Sequence, residues 1–141
     1  MSTRLAEAIA LAAKAHKDQI DKQGEPYILH PLRVMMALKE DGYSEDYQIA
    51  GVLHDVVEDT PITVAYVRER FGPAVGDAVE ALTHEKGCPY LDYVREIRKL
   101  PIATEVKKRD LTDNAYFRRF FHGVKYEKYA KAMAILMGQA D

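Results

Sequence analysis

Cysteine is almost absent from this chain: of 141 residues only Cys88 carries a thiol. No intrachain disulfide can form and no cysteine-rich zinc site can be built, which suits the reducing cytoplasm and sets cytoplasmic as the expected location. Missing too is any run approaching the roughly 20 apolar residues that a membrane helix needs. The N-terminal stretch MSTRL has no apolar signal core, so a soluble, unprocessed protein is expected. Charge of one sign is also lacking. A formal balance of −2 leaves no basic footprint for a nucleic-acid polymer, and a small ligand is the expected partner. Strand-like alternation is scarce, and there is no internal repeat or low-complexity tract. What is present, 48% hydrophobic and 30% charged residues over the length of one domain, is an ordinary globular composition. The expectation is one all-α domain over residues 1–141.

Helical spacing runs through most of the chain. Leu5, Ile9, Ala12, Ala13 and His16 share a face behind an N-cap at Ser2 or Thr3, with His16 expected as a packing histidine of the core. Residues 18–27 are polar and turn at Gly24 to Pro26. Pro31 is expected to open a second helix with His30 at its boundary, where the chain's turn fixes the ring as a metal ligand or as a cap. A third helix begins near Ser44 or Glu45 and ends at Thr60-Pro61, with Pro61 starting another. Gly72-Pro73 reads as a stop, residues 74–84 as a helix, residues 85–89 as a loop, and Pro101 as both an end and a beginning. From Phe117 to Lys131 the chain turns basic and aromatic. The aromatics there are expected in the core, some cations facing a phosphorylated ligand, and Gly123 is expected to break the run before a terminal helix.

Within this pattern the stretch 50–61, AGVLHDVVEDTP, stands apart. It places His54, Asp55, Glu58 and Asp59 among Ala, Gly, Val and Leu, and in a continuous helix His54 would stack over Glu58 while Asp55 met Glu58 and Asp59. An imidazole and three carboxylates converging on an apolar helix point to a divalent metal with an acid/base pair beside it; the alternative is an exposed acidic helix end. A second polar face follows at 106–114, where helical geometry puts Lys107, Asp110 and Asn114 on one stripe with Asp113 close by. That stripe can complete a metal shell and bond a substrate oxygen, or it is a surface face with neutralised charge.

Taken in order, His30, His54-Asp55 and Asp110 resemble the ligand set of the HD-domain metal-dependent phosphohydrolases. The segments Ala15-His16 with Gln19, GEPYILHPL at 24–32, GVLHDVVEDT at 51–60, Arg70 to Gly72, Leu82-Thr83, and Val106-Lys107 with Asp110 and Asn114 are similar to the hydrolase domain of RelA/SpoT proteins and its small stand-alone relatives. The resemblance implies an HD-type helical bundle, a divalent metal, usually manganese, held by His30, His54, Asp55 and Asp110, and water handled by Glu58 and Asp59. It further implies a cytoplasmic hydrolase that removes the 3′-pyrophosphate of guanosine tetra- or pentaphosphate, with Lys22 and Asn114 on the substrate. The residue chemistry is compatible: two imidazoles and two carboxylates leave coordination positions open, and a carboxylate one helical turn on can take a proton. Three positions depart from the pattern. Asp21 stands where arginine is typical, Asp113 where histidine is common and Phe117 where threonine is common, all on the side where the resemblance puts base and ribose. They leave open another nucleotide, a simple nucleotidase, or a sensor that binds without turnover. Homo-oligomerisation is also left open.

Overall fold

The structure, a computed structural model, describes residues 3–116 and 124–141, with side chains outside the description at 124–126. The elements, in order, are α1 (Arg4–Ala15), α2 (Leu29–Glu40), α3 (Glu45–Leu53), α4 (Val56–Asp59), α5 (Val64–Phe71), α6 (Pro73–Leu82), α7 (Tyr90–Arg98), α8 (Pro101–Tyr116) and α9 (Val124–Leu136). Among the described residues there is no strand beyond an isolated antiparallel bridge, Ile20 to Pro26, that pinches the turn before α2. The protein is all-α. None of the described helices is long and apolar enough to cross a membrane.

The central element is α3. Its residues Ile49 to Leu53 are all buried, as a helix hydrophobic on every side must be, and it packs against α1, α2, α6 and α8. One core cluster gathers Ala8, Ala12, Met35, Ile49, Val52, Leu53, Val56, Val67, Phe71, Val75 and Val79. The other gathers Val34, Leu38, Ala50, Leu82, Val94, Ile97, Val106, Ile135 and Leu136 with their neighbours. Approach of α3 to α2 is close because position 51 is glycine: a Cβ there would stand 2.8 Å from Leu38 Cδ1 and 3.4 Å from Met35 Cα. Gly72 has φ 98, a conformation that favours glycine, and so ends α5 while letting Pro73 open α6.

Several boundaries differ from those the sequence suggests. Thr3 caps α1, accepting from the Ala6 amide at 3.0 Å, and His16 follows as C-cap rather than as a helical residue. α2 starts at Leu29, so His30 lies inside the first turn. Its amide is satisfied by the Tyr27 carbonyl at 3.0 Å, and Pro31 is tolerated because a first-turn nitrogen has no partner within the helix to lose. Pro61 does not open α5, which begins at Val64 under a Thr63 cap that accepts from Tyr66 at 3.1 Å. The largest difference is at 54–55. The helix expected across 50–61 stops at Leu53, turns, and resumes as the single turn α4. The His54 ring donates to the Gly51 carbonyl at 2.7 Å, the acceptor that the Asp55 amide would use in a continuous helix. The segment 117–123, with Phe117 and Gly123, and the Tyr126 side chain lie outside the described residues.

Candidate metal centre

The turn at 54–55 decides the site, because consecutive residues of a regular helix diverge by about 100°, whereas here His54 and Asp55 face one point. His30 arrives from the first turn of α2 and Asp110 from the middle of α8. His30 Nε2 lies 2.8 Å from Asp110 Oδ1 and 3.7 Å from Asp55 Oδ2; His54 Nε2 lies 3.0 Å from Asp55 Oδ2 and 3.3 Å from Asp110 Oδ1. One ligand atom from each of the four lies within 4.8 Å of the others. Donors about 2.1 Å from a shared centre at right angles are about 3 Å apart, so the set fits a divalent cation. His30, His54 and Asp110 are 1%, 2% and 5% exposed. Four ionisable groups packed so tightly out of water demand internal compensation.

The rear nitrogens show the same fit. A metal-binding histidine offers one ring nitrogen and donates from the other, usually to a carbonyl or carboxylate. His54 Nδ1 has the Gly51 carbonyl, and His30 Nδ1 has Asp113 Oδ2 at 2.6 Å. With each Nδ1 donating to the rear, the neutral form of either ring would carry its lone pair on Nε2, facing inward. The carboxylates are held likewise. Asp110 Oδ2 accepts from Lys107 Nζ at 2.8 Å and Asp55 Oδ2 from the Tyr27 hydroxyl at 2.5 Å.

Charge within the cluster is strongly coupled. Burial disfavours the protonated ring of His54, but Asp55 and Asp110 outweigh it and raise its pKa well above the ordinary value. His30 is raised against burial by Asp110 and Asp113. Burial likewise opposes ionisation of Asp110, and Lys107 with the two histidines overcomes it, driving that carboxyl well down. Protons thus neutralise part of the carboxylate charge, and any cation entering the cluster must displace them.

Glu58 and Asp59 are exposed on α4, one turn beyond the cluster. Glu58 Oε1 accepts from the His84 amide at 3.2 Å, and the Asp59 carbonyl accepts from Gln19 Nε2 at 3.0 Å. Desolvation, then the negative charge of Asp55, raises the pKa of both carboxyls. Asn114 is buried beside the cluster, its Nδ2 3.4 Å from Asp110 Oδ1, the oxygen that also meets the two histidines. Lys22 is exposed on the pinched turn. The neighbouring Asp21 builds that turn, its Oδ1 accepting from the amides of Gln23 at 2.9 Å and Glu25 at 3.0 Å. Near them His16 is buried as expected, its Nδ1 2.8 Å from Gln19 Oε1 and its ring 5.0 Å from that of Tyr27.

Sequence reasoning missed Tyr27 and Arg33 and the contact of Asp113 with His30. Asp113 stands behind His30, and its Oδ1 also accepts from Arg33 Nε at 2.6 Å. Tyr27 lies three residues before His30, a spacing that already puts it on the same approach to α2. Nothing local marked Arg33, because its partner is 80 residues away.

Comparison with known proteins follows the same outline. Residues 8–120 match the HD domain family model. The guanosine-3′,5′-bis(diphosphate) 3′-pyrophosphohydrolase of Aquifex aeolicus (strain VF5) is 37% identical over 132 residues, 88% of this chain and 19% of that protein. The bifunctional (p)ppGpp synthase/hydrolase SpoT of Escherichia coli (strain K12) is 40% identical over 80 residues, 57% of this chain and 11% of that protein. The chain therefore spans a fifth or less of these two relatives. Among solved structures, a metazoan ortholog of SpoT described as hydrolysing ppGpp superposes with a TM-score of 0.78 at 26% identity, covering 99% of this chain and 89% of that one. A protein from Listeria monocytogenes EGD-e gives a TM-score of 0.64 at 30% identity, covering 84% of this chain and 83% of that one. With most of its length matched by the family model, and a histidine-aspartate cluster of the kind for which that fold implies a divalent metal, the chain belongs to the HD-domain family.

Proposed function

We propose that this protein is a cytoplasmic, manganese-dependent phosphohydrolase that removes pyrophosphate from the 3′ position of guanosine tetra- or pentaphosphate. The single observation that carries the proposal is the four-donor cluster with two carboxylates one turn beyond it. Support for the substrate comes from the relatives named above for that hydrolysis. In this reading residues 1–141 are one catalytic domain. His30, His54, Asp55 and Asp110 hold the cation, which when bound supplies Lewis acidity toward water and offsets charge on the phosphate.

The chain's own groups do the rest. Glu58 and Asp59 orient the attacking water and take its proton, and the His84 amide keeps the Glu58 carboxylate aimed. Their raised pKa values bring them closer to neutral pH, where a base works best. Water adds to the phosphorus as the bond to the 3′ oxygen breaks, giving pyrophosphate and the nucleoside 5′-diphosphate or 5′-triphosphate. Asn114 and Lys22 contact the substrate.

A second reading, hydrolysis of another phosphorylated nucleotide, is favoured by Asp21, whose carboxylate is engaged in the turn where an arginine would meet the nucleotide. The test is to incubate manganese-loaded protein with ppGpp, pppGpp and a panel of nucleoside mono- and bisphosphates. Pyrophosphate release from the first two, lost on Glu58→Gln, is expected. Orthophosphate release from the panel would point to the second reading, and binding without product at saturating metal would leave a sensor instead of an enzyme.

A further inference from the structure

The two histidines of the cluster are backed differently. His54 leans on the Gly51 carbonyl, part of the helix itself, whereas His30 leans on a side chain, the carboxylate of Asp113. That carboxylate is 5% exposed and is shared between neighbouring turns of α2: Oδ2 lies 2.6 Å from His30 Nδ1 and 3.1 Å from an Arg33 NH2, and Oδ1 lies 2.6 Å from Arg33 Nε. The Arg33 side chain is 34% exposed and lines a surface groove with Met36, Ala37 and Thr112.

We propose that Asp113, locked by Arg33, is the positioning residue that fixes the His30 tautomer and so sets the strength of the metal site. The proposal rests on the assignment of His30 as a ligand. A neutral imidazole has one N–H, and a carboxylate has only acceptors, so Asp113 takes the hydrogen on Nδ1 and leaves the lone pair on Nε2 facing Asp110 and Asp55. Arg33 makes the arrangement exacting, because its fork accepts nothing and requires an oxygen opposite it.

This requirement separates positioning from mere packing. In Asp113→Asn one carboxylate oxygen becomes an NH2, which must face either Arg33 Nε, a cation that cannot give up its proton, or His30 Nδ1, on a ring that can move its own to Nε2, so the two sides compete for the remaining oxygen. Arg33 claims it, the amide NH2 turns toward His30 Nδ1, and the ring is driven to carry its proton on Nε2, inside the cluster. Removal of the fork, as in Arg33→Met combined with Asp113→Asn, frees the oxygen to turn back to His30.

Mn2+ affinity measured by isothermal titration calorimetry tests this without reference to turnover. Outer-shell partners of this kind typically contribute 10–100-fold to affinity. Asp113→Asn is expected to bind Mn2+ about 10–100-fold more weakly than wild type, and the double variant is expected to recover a large part of that loss. A double variant as weak as or weaker than Asp113→Asn would overturn the proposal, as would an unchanged single variant. Should Asp113→Asn fail to fold, imidazole 1H–15N spectra of Zn2+-loaded wild type still decide: the proton on Nδ1 of His30 supports the proposal and a proton on Nε2 sinks it. A wild type that binds no cation at all would instead remove the metal-site assignment beneath it.

Discussion

Lys107 is the clearest case of a residue whose importance lies in one neighbour. The residue is 9% exposed, and its ammonium sits 2.8 Å from Asp110 Oδ2 and is the leading charge that keeps that buried carboxyl ionised. Lys107→Met leaves the buried carboxylate's charge to the two histidines alone, and breaking a buried pair this way costs up to about 3–5 kcal/mol. The midpoint of urea unfolding should fall accordingly, and a midpoint within error of wild type would show that the pair is not sheltered from water. The histidines set a second expectation, for metal-free protein in chelator. Raised pKa values mean that the folded state of His30 and His54 binds protons more tightly than the unfolded state. Their stabilising contribution is complete below about pH 6.5 and is lost as pH rises through the raised values. Asp110 and Asp113 are depressed, so their contribution is present above about pH 4 and is lost as pH falls. Thermal midpoints should therefore peak between those limits and decline from pH 6.5 toward 9; a rise over that range would contradict the charge assignment. At this scale the sequence was informative where chemistry is dense. His54, Asp55, Glu58 and Asp59 announce themselves by crowding into six residues, and Asp110 by its helical register with Lys107 and Asn114. The Arg33–Asp113–His30 chain was invisible, because spacing reports neighbours along a helix and these contacts span 80 and 83 residues.

The helices themselves were legible at some of their glycine and proline marks: the Gly72-Pro73 junction and the start of α8 at Pro101 lie where the residue chemistry requires, whereas Pro31 and Pro61 do not open the helices expected of them. The interruption after Leu53 was not, since no breaker marks it and it arises from a side chain capturing a main-chain carbonyl. α8 also defeats hydropathy, because the stripe it turns inward includes Thr104, Lys107, Asp110, Asp113 and Asn114. Close helix contacts make a sharper prediction at this scale. A Cβ at Gly76 would stand 2.6 Å from Arg68 Cβ and 2.9 Å from Arg68 Cα, so the α5–α6 backbones must separate. At Gly51 the tightest contact is the tip of Leu38, at 2.8 Å. Alanine in a helix gains about 1 kcal/mol over glycine, against about 1–3 kcal/mol for overpacking. Gly76→Ala should therefore be clearly destabilising and Gly51→Ala close to neutral or mildly so. Denaturant unfolding of the pair checks the order, and a reversed order would mean that α2 cannot yield at Leu38.

Across the whole molecule the four donors are divided unequally along the chain. His30, His54 and Asp55 precede the loop at 85–89, and Asp110 follows it. That loop is exposed at Glu85 to Gly87 and carries Gly87 at φ 88, so it is an accessible place to open the backbone. Cutting there separates two pieces, neither of which holds a full donor set. Each alone is expected to bind Mn2+ too weakly to detect by calorimetry, and mixing the two should restore binding with the ion as the staple between them. Binding by the N-terminal piece alone at the affinity of the intact chain would show that Asp110 is dispensable. In the intact protein the same division means that an ion held by these four donors would close a circuit between early and late portions of the polypeptide, and a ribosome releasing the first 85 residues would not yet have made a competent site.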